Sequence, residues 1–197
     1  IGAIRSLNFL SKDTDIKYVQ VGDISLKKNW EDILKGVDCV VHCAGRAHII
    51  NESNTDPLKV YQSINVEATR RLAEDSIKAG IKRFVFLSSV GVLGINTNGR
   101  LPFSNTDEPN PIENYAISKL EAEEVLFKLS EKTGLEVVVL RIPLVYGPNS
   151  KGNLSRIIKL INSGIPLPFG AIKNQRSMIG LDNLVDILIR CIDHPDA

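Results

Sequence analysis

Short apolar runs alternate along this chain with longer segments that carry apolar residues at helical spacing. The apolar runs occupy residues 2–5, 17–21, 38–44, 83–88 and 136–142. Runs that are apolar almost throughout are typical of parallel strands buried on both faces of a sheet. The segments with helical spacing are residues 26–35, 59–79 and 114–132. The alternation therefore predicts the α/β class, as a doubly wound parallel sheet with right-handed crossovers.

The pattern changes after Pro148, which indicates a second, smaller lobe. Beyond it we predict a helix over residues 154–161, a bend rich in Pro and Gly over 164–170, and a final helix over 181–192. We assign residues 1–148 to the sheet domain and residues 149–197 to the start of the lobe, with the final helix returning to the sheet domain. A loop over residues 94–111, rich in Asn, Thr, Gly, Pro and Asp, interrupts the sheet domain. Loops this long in a compact domain usually serve a site.

The charge balance and the hydropathy exclude two classes of partner. With 24 Lys and Arg against 23 Asp and Glu, the chain has a net charge of +1, and its basic residues form no block or stripe. A nucleic-acid binder needs such a basic patch, so we expect no nucleic-acid partner. The apolar runs are far shorter than the roughly 18 residues that span a bilayer, and the N-terminal Ile-Gly-Ala-Ile-Arg does not resemble a signal peptide. We expect a cytoplasmic protein with no membrane partner.

The cysteines and histidines offer no metal-binding pattern. Cys39, Cys43 and Cys191 lack C-x-x-C spacing. The first two lie within an apolar run, so we expect buried free thiols. The histidines are scattered along the chain, at His42, His48 and His194. We therefore predict no metal site.

A tyrosine and a lysine four residues apart are the best clue to the chemistry. Tyr115 and Lys119 lie near the start of the third predicted helix, and Ser89 follows the strand-like run that precedes it. Positions i and i+4 share a helix face, so the Lys119 ammonium can lie near the Tyr115 phenol and lower its pKa. Such a phenol can take a proton from a substrate alcohol while hydride leaves for a cofactor, and Ser89 can supply a hydroxyl. The same spacing also arises by chance on exposed helix faces.

A glycine-rich phosphate-binding loop is missing from the sequence. No G-x-G-x-x-G or G-x-x-G-x-x-G leads from a strand into a helix, because Thr97 stands at the third position after Gly91 and Gly94. In a doubly wound sheet this loop follows the first strand, which lies centrally between the second and the fourth. We therefore expect a strand, a loop and a helix of roughly 20 to 30 residues to precede Ile1 in the natural protein, which would make this chain a fragment.

Seven short motifs follow one another along almost the whole chain. They are Gly22-Asp-Ile, Val40-Val-His-Cys-Ala-Gly-Arg, Asn65-Val-Glu-Ala-Thr, Phe84-Val-Phe-Leu-Ser-Ser, Tyr115-Ala-Ile-Ser-Lys, Leu140-Arg-Ile-Pro-Leu-Val-Tyr-Gly-Pro and Arg176-Ser-Met-Ile-Gly-Leu-Asp-Asn-Leu. Together they resemble the extended short-chain dehydrogenase/reductase superfamily, specifically its NAD-dependent epimerase/dehydratase family. The resemblance implies a Rossmann-type fold, a nicotinamide dinucleotide cofactor and a nucleotide-sugar substrate, as in the UDP-glucose 4-epimerase-like members.

The resemblance implies a cofactor site built from several strand ends. Its members would be Arg5, Ser6, Asp23, Ile24, Ala44, Gly45, Arg46, Asn65, Tyr115, Lys119 and Pro143. Asp23 and Ile24 would flank the adenine, and the loop at 44–46 would border the ribose and phosphates. Asn65 would support the sheet end beside the cofactor, and Lys119 would hold the nicotinamide ribose. The alternatives for Asp23 and Asn65 are a turn residue and a helix N-cap.

The same resemblance implies catalytic and substrate-binding roles. The catalytic residues would be Ser89, Tyr115 and Lys119, and the substrate-binding residues would be Ser89, Val90, Asn153 and Arg176. Asn153 would lie next to the nucleotide. Arg176 would bind the diphosphate, a task suited to a planar bidentate donor, or would form an ordinary surface ion pair.

Three positions depart from the family pattern. Val90-Gly91 stands where the 4,6-dehydratases carry an Asp-Glu pair, so we do not expect dehydration. Leu144 replaces an asparagine that touches the sugar in many members, and Leu93 replaces a common tyrosine. We therefore expect the protein to hold the hexose through contacts other than those that this asparagine and tyrosine make in such family members.

The residues that end the first strand-like run bear on cofactor preference. An acidic residue there usually binds the 2′-hydroxyl of NAD, whereas a basic residue accommodates the 2′-phosphate of NADP. Arg5 occupies that place, followed by Ser6. Arg5 favours NADP, although it could instead stack on the adenine of NAD.

The sequence as a whole predicts a nucleotide-sugar oxidoreductase or isomerase. We expect a homodimeric UDP-hexose or UDP-N-acetylhexosamine 4-epimerase that works through a 4-keto intermediate and uses NAD or NADP. A UDP-4-keto-hexosamine reductase or 4-dehydrogenase is the alternative. Two further hypotheses are a reductase of non-sugar substrates, which would share Tyr115 and Lys119, and a non-catalytic cofactor sensor, which would have no use for them.

Overall fold

The computed structural model describes residues 1–6, 15–26, 29–47, 56–148, 153–164, 166 and 170–197. The chain divides into two compact units, Ile1–Arg141 and Ile142–Ala197. The predicted boundary after Pro148 falls inside the second unit. The assignment of residues 1–148 and 149–197 to a cofactor domain and a substrate lobe stays a prediction.

Two sheets are described in the first unit. Their strands are β1 (Gly2–Ile4), β2 (Tyr18–Gln20), β3 (Cys39–His42), β4 (Arg83–Ser89) and β5 (Glu136–Ile142). β1 pairs with β2 in parallel, and β3, β4 and β5 are neighbours in the second sheet, where β3 and β4 are parallel. All five strands coincide with predicted apolar runs, and helices follow β2, β3 and β4, which confirms the α/β class. That a further strand precedes Ile1 stays an expectation.

Long helices follow β3 and β4, as predicted. The helices of the first unit are α1 (Glu31–Leu34), α2 (Pro57–Tyr61), a π-helical stretch (Gln62–Glu67), α3 (Ala68–Lys78) and α4 (Asn114–Thr133). α2, the π-helical stretch and α3 are continuous, and together they match the helix predicted over residues 59–79. None of the helices in the described part of the chain is both long and apolar enough to cross a bilayer.

The first helix is shorter than the predicted 26–35. Leu26 instead closes a turn, in which its amide donates to the Asp23 carbonyl at 3.1 Å. The Asp23 carboxylate also accepts the Ser25 amide at 2.9 Å. An aspartate that binds the backbone two residues later offers the chain a turn in place of a helix, which explains why Leu26 is not helical.

The core of the first unit lies between the helices and one face of the three-stranded sheet. Phe84 and Phe86 stand two residues apart along β4, so both point to this face, and both are fully buried. Leu126 of α4, also fully buried, packs in the same cluster. Burying a side chain of this size stabilises a fold by about 2–3 kcal/mol. The core therefore fixes α4 against β4, the two elements that carry the predicted catalytic residues.

The C-terminus of α4 is set by a glycine. Gly134 has φ of 75°, a left-handed conformation that glycine adopts without a steric cost. Its amide donates to the Ser130 carbonyl at 2.8 Å, which satisfies one of the last helical carbonyls. The chain then turns so that Leu135 enters the core and β5 begins at Glu136.

The described residues of the second unit form a small sheet and two helices. Its elements are β6 (Leu144–Tyr146), α5 (Asn153–Asn162), β7 (Met178–Gly180) and α6 (Leu181–Asp193), and β6 pairs with β7 in parallel. Both predicted helices are confirmed, whereas neither strand was predicted, because three residues are too few to show a strand pattern. The predicted bend over residues 164–170 lies mostly outside the described residues.

The three cysteines are free thiols, as predicted, but they are not all buried. Cys191 is buried, Cys39 is half-buried and Cys43 is exposed. Cys43 directly follows β3, where the loop at 44–46 begins, so the expectation of a buried thiol is wrong for this residue.

His42 is a buried, neutral part of the core. It is 5% exposed, and its Nε2 lies 2.9 Å from Thr69 Oγ1. The Thr69 hydroxyl donates to the Asn65 carbonyl at 2.7 Å, so the Nε2–H of His42 donates to Thr69. Burial, and then the charge of Lys119, lowers the pKa of His42 to about 3.

We expect His42 to make the free energy of unfolding decrease in mild acid. In the unfolded chain a histidine takes up a proton below its ordinary pKa of about 6.5, whereas the folded chain excludes that proton down to about pH 3. The contribution to stability is therefore present above pH 6.5 and is lost as the pH falls, by about 2 kcal/mol between pH 7 and pH 5. Urea unfolding of the wild type and of His42→Gln at both pH values measures it, since glutamine does not titrate.

His194→Gln is the matched control for this experiment, because the His194 side chain is exposed. It should show the same pH dependence as the wild type. If the free energy of unfolding of His42→Gln fell between pH 7 and pH 5 by as much as that of the wild type, His42 would not be a buried neutral group.

Candidate functional site

Ser89 lies at the carboxyl end of β4, where the chain turns into a 3-10 helix, Val90–Leu93. Its Oγ accepts a hydrogen bond from the Gly91 amide at 3.1 Å. A Cβ at Gly91 would lie 3.3 Å from Ser89 Oγ and 3.4 Å from the Cβ of Ala116, so a glycine lets this turn approach the first turn of α4. Because the accepted bond uses an oxygen lone pair, the Ser89 hydroxyl can still donate to a substrate oxygen.

Tyr115 and Lys119 lie on consecutive turns at the start of α4. Tyr115 is half-buried, and Lys119 is 4% exposed. The Lys119 Nζ donates to the Leu87 carbonyl at 2.7 Å and lies 4.4 Å from the centroid of the Phe86 ring. Leu87 stands two residues before Ser89, so the lysine is anchored at the strand end that carries the serine.

Burial shifts the pKa of both helix residues. It raises the pKa of Tyr115 above its ordinary value, and the neighbouring Tyr61, whose ring centroid lies 6.4 Å away, raises it further. Burial lowers the pKa of Lys119 to about 8, against the opposing effects of Cys43 and Glu123. The expected lowering of the Tyr115 pKa by Lys119 is therefore wrong for this structure. The ammonium is held on a β4 carbonyl, and the loss of water around the phenol dominates.

Asn65 holds the loop at 44–46 in place. Its Oδ1 accepts the Arg46 amide at 2.8 Å, and its Nδ2 donates to the Arg46 carbonyl at 3.1 Å. Nδ2 also donates at 2.9 Å to Ser118, whose hydroxyl donates to the Tyr115 carbonyl at 2.7 Å. Asn65 is buried inside the π-helical stretch, so it is not a helix N-cap. π-helical turns are frequent at functional sites, and this one carries the amide that joins the loop to α4.

Arg5 and Asp23 meet beyond the ends of β1 and β2. Nη2 of Arg5 lies 3.3 Å from Oδ2 of Asp23, while Oδ1 accepts the Ser25 amide at 2.9 Å and the Ser25 hydroxyl at 2.7 Å. The bonds from Ser25, more than the charge of Arg5, hold the pKa of Asp23 below its usual value. Ser6 and Ile24 are half-buried beside them. Asp23 thus holds a turn, and it also pairs with the arginine from which the preference for NADP was inferred. Its contact with the adenine stays a prediction.

The residues of the first unit fit a dinucleotide cofactor. A Cβ at Gly45 would lie 3.1 Å from Asn65 Oδ1 and 3.4 Å from Lys119 Nζ. A side chain at this position would force Asn65 to shift, whereas a bare backbone leaves room for ligand atoms near the lysine. The loop at 44–46 and Lys119 could hold the ribose and phosphates at one end of such a cofactor, and Asp23 the adenosine at the other.

Three predicted binding residues belong to the second unit. Pro143 links β5 to β6 and is half-buried, Asn153 begins α5, and Arg176 is exposed just before β7. In the first unit, Val90 is half-buried at the start of the 3-10 helix. The roles of these four residues stay predictions.

Sequence reasoning missed a buried ion pair beneath α4. Glu123 is 1% exposed and is bound by the hydroxyl of Ser88 and by the guanidinium of Arg141. Two signals were present in the sequence. Glu123 stands four residues after Lys119, on the same helix face, and Arg141 interrupts the apolar run 136–142, where a charge needs a partner.

Two related sequences resemble most of the chain. A UDP-glucose 4-epimerase of Vibrio cholerae is 42% identical over 189 residues, which are 95% of this chain and 57% of that protein. The N-acetyl-alpha-D-glucosaminyl-diphospho-ditrans,octacis-undecaprenol 4-epimerase of Escherichia coli O157:H7 is 30% identical over 174 residues, 86% of this chain and 50% of that protein. The chain thus spans between 50% and 57% of the length of these relatives.

A solved structure and a family model extend the comparison. MoeE5 in complex with UDP-glucose and NAD is 28% identical, with a TM-score of 0.72 over 91% of this chain and 60% of that one. The likeness confirms the Rossmann-type fold. The model of the NAD dependent epimerase/dehydratase family matches residues 4–197, nearly the whole sequence. The chain therefore belongs to the NAD-dependent epimerase/dehydratase family of extended short-chain dehydrogenases/reductases.

Proposed function

We propose that the full-length protein is a 4-epimerase that converts a UDP-hexose or a UDP-N-acetylhexosamine through a 4-keto intermediate. The observation that carries the proposal is the anchoring of α4, through Lys119, at the strand end that carries Ser89. Ser89 ends β4, Lys119 binds the Leu87 carbonyl two residues earlier, and Tyr115 lies one helical turn before Lys119. Both relatives described above are named 4-epimerases, which supports carbon 4 as the reacting position.

In this proposal Tyr115 removes the proton from the C4 hydroxyl of the sugar and later returns it. Ser89 donates its hydroxyl hydrogen to the same oxygen and stabilises the charge that develops there. Bound NAD would supply the chemistry of accepting and returning a hydride. Because burial raises the pKa of Tyr115, the phenol needs a positive charge nearby to act as a base. In this proposal Lys119, one helical turn away, supplies that charge during turnover, although its effect does not outweigh burial in the structure described above.

We propose NAD, rather than NADP, as the cofactor. The family is named as NAD dependent, and the MoeE5 structure contains NAD. Arg5, the reason to expect NADP, is paired with Asp23 at 3.3 Å. A 2′-phosphate bound to Arg5 would also meet the carboxylate of Asp23, and that repulsion favours the 2′-hydroxyl of NAD.

A 4-keto reductase or 4-dehydrogenase is the second candidate, because the same three groups would serve a single hydride transfer. Leu144, which stands where many family members carry a sugar-binding asparagine, is 42% exposed and could contact a different sugar. A non-sugar reductase and a cofactor sensor are hypotheses that the assay below also tests. Binding of the diphosphate by Arg176 and of the nucleotide by Asn153, a homodimer and a cytoplasmic location stay predictions.

We expect the full-length protein to interconvert C4 epimers of a UDP-sugar with no net use of cofactor. Epimerisation returns the hydride to the carbon that lost it, whereas a reductase consumes one reduced cofactor per turnover. The substrates are UDP-glucose, UDP-N-acetylglucosamine and UDP-4-keto-6-deoxy-N-acetylhexosamine, with and without NAD(P)H, followed by product mass and retention time. N-acetylglucosaminyl-diphospho-undecaprenol is added because of the name of the Escherichia coli relative.

Each outcome of this assay selects one hypothesis. Turnover of the keto sugar alone, with stoichiometric use of NAD(P)H, would establish the reductase. Turnover of the lipid-linked sugar alone would mean that the substrate carries an undecaprenyl diphosphate in place of UDP. If no UDP-sugar bound at all, the nucleotide-sugar proposal would be wrong.

We expect Tyr115→Phe to lower kcat by at least about 10²-fold and to leave cofactor affinity within about twofold. The substitution removes the proton-transfer group but keeps the ring that packs against Tyr61. Tyr18→Phe is the matched control, because Tyr18 lies on β2 with its ring against Gly2. Turnover by Tyr115→Phe equal to that of the control would contradict the assigned proton transfer.

We expect the wild type to bind NAD more tightly than NADP, and Asp23→Asn to reduce that preference about tenfold. The substitution leaves Arg5 free to bind a 2′-phosphate. Calorimetric titration of the full-length protein with both cofactors measures the ratio. Asp32→Asn is the charge-matched control, because Asp32 pairs with Lys35 on an exposed helix. An unchanged ratio in Asp23→Asn would show that the Arg5–Asp23 pair does not select the cofactor.

A further inference from the structure

A buried carboxylate lies on the catalytic face of α4, one turn beyond Lys119. The carboxylate is that of Glu123, and it accepts a hydrogen bond from the Ser88 hydroxyl. Arg141 donates to Oε2 from Nη2 at 2.7 Å and from Nε at 3.1 Å, and Nε also donates to Oε1 at 3.3 Å. A charge at this depth is tolerated only when it is paired and hydrogen-bonded, and an arginine fork meets both requirements.

The three partners connect the elements that carry the catalytic groups. Ser88 belongs to β4, Glu123 to α4 and Arg141 to β5. Ser88 stands between Leu87, whose carbonyl accepts a hydrogen bond from Lys119, and the proposed catalytic Ser89. Helical side chains lean toward the N-terminus of their helix, so the Glu123 carboxylate reaches back toward the turn that carries Lys119.

We propose that Glu123 is a positioning residue for Lys119. Braced by Ser88 and Arg141, its carboxylate holds α4 on β4 so that the Lys119 ammonium stays on the strand end beside Ser89. The catalytic consequence rests on the proposed function, whereas the state of Lys119 can be measured without turnover.

The charge of Glu123 also acts on Lys119. It raises the pKa of Lys119, in opposition to the burial that lowers it to about 8. Other titratable groups face the same ammonium: Cys43 after β3 raises the pKa in the same direction, His42 lies in β3, and Tyr115 lies one turn earlier on α4. A substitution of Glu123 removes one of these effects and leaves the other groups in place.

The experiment titrates Lys119 directly in the full-length protein. Lysine labelled with ¹³C at Cε is followed by NMR from pH 6 to pH 10, and the Lys119 signal is assigned with Lys119→Arg. Glu123→Gln removes the carboxylate charge. This variant leaves the half-buried Arg141 without its partner. The double variant Glu123→Gln with Arg141→Met removes both charges and therefore guards against simple unfolding. Ser88→Ala is the control that keeps the ion pair.

We expect the titration midpoint of Lys119 to move down by roughly half a pH unit or more in Glu123→Gln, as the loss of one nearby negative charge requires. It should move down less in the double variant, because the loss of the positive charge of Arg141 opposes the loss of the carboxylate. Ser88→Ala should move it less than half as far as Glu123→Gln does. Under the proposed function, the Glu123 variants should also lower kcat about tenfold at neutral pH, with KM within about twofold of the wild type.

Two results would overturn the inference. One is an unchanged Lys119 midpoint in both Glu123 variants, even if they were less stable, because Glu123 would then be a structural residue only. The other is a KM effect with an unchanged kcat. If the wild type turned over none of the substrates, the proposed function would fail, and the Lys119 titration would still decide whether Glu123 acts on the lysine.

Discussion

The burial of polar side chains between α4 and β4 is the constraint on which the rest of the first unit depends. An unpaired amine or carboxylate at the depth of Lys119 or Glu123 would destabilise the fold by several kcal/mol, so each must find its partner in one geometry. Lys119 finds a β4 carbonyl and Glu123 finds Ser88 and Arg141. Apolar contacts hold helix and sheet together, and these polar contacts add directional constraints on how α4 lies along β4.

The architecture of the first unit was predictable because its physical cause, the burial of strands by helices, leaves a pattern in the sequence itself. Strands covered by helices must be apolar along their length, and that requirement produced five recognisable runs, each of which is a strand. The predicted first helix begins too early, at residue 26, because the side chain of Asp23 stabilises a turn there. Hydrophobic spacing cannot show such an effect. β6 and β7 were missed because three-residue strands are defined by their pairing partner and not by their own pattern.

The candidate site was predictable in its composition and not in its electrostatics. Spacing alone placed Tyr115 and Lys119 on one helix face, and the strand end placed Ser89 near them. The direction of the Tyr115 pKa shift came out opposite to the expectation, because it depends on how far water is excluded and on where the ammonium is tied. The π-helical stretch could not be foreseen either, since it depends on the contacts that Asn65 makes with a loop 19 residues earlier.

Burial creates a conflict at this site. It favours the neutral form of both groups, raising the pKa of Tyr115 and lowering that of Lys119, although proton transfer requires a phenolate and an ammonium. A substrate and cofactor that covered the site would exclude more water and increase both effects, while strengthening every attraction between charges that are present. A fixed negative charge behind the lysine is therefore needed to keep it an ammonium as the site becomes drier. Glu123 can provide it, because the fork of Arg141 and the hydroxyl of Ser88 hold the carboxylate in place.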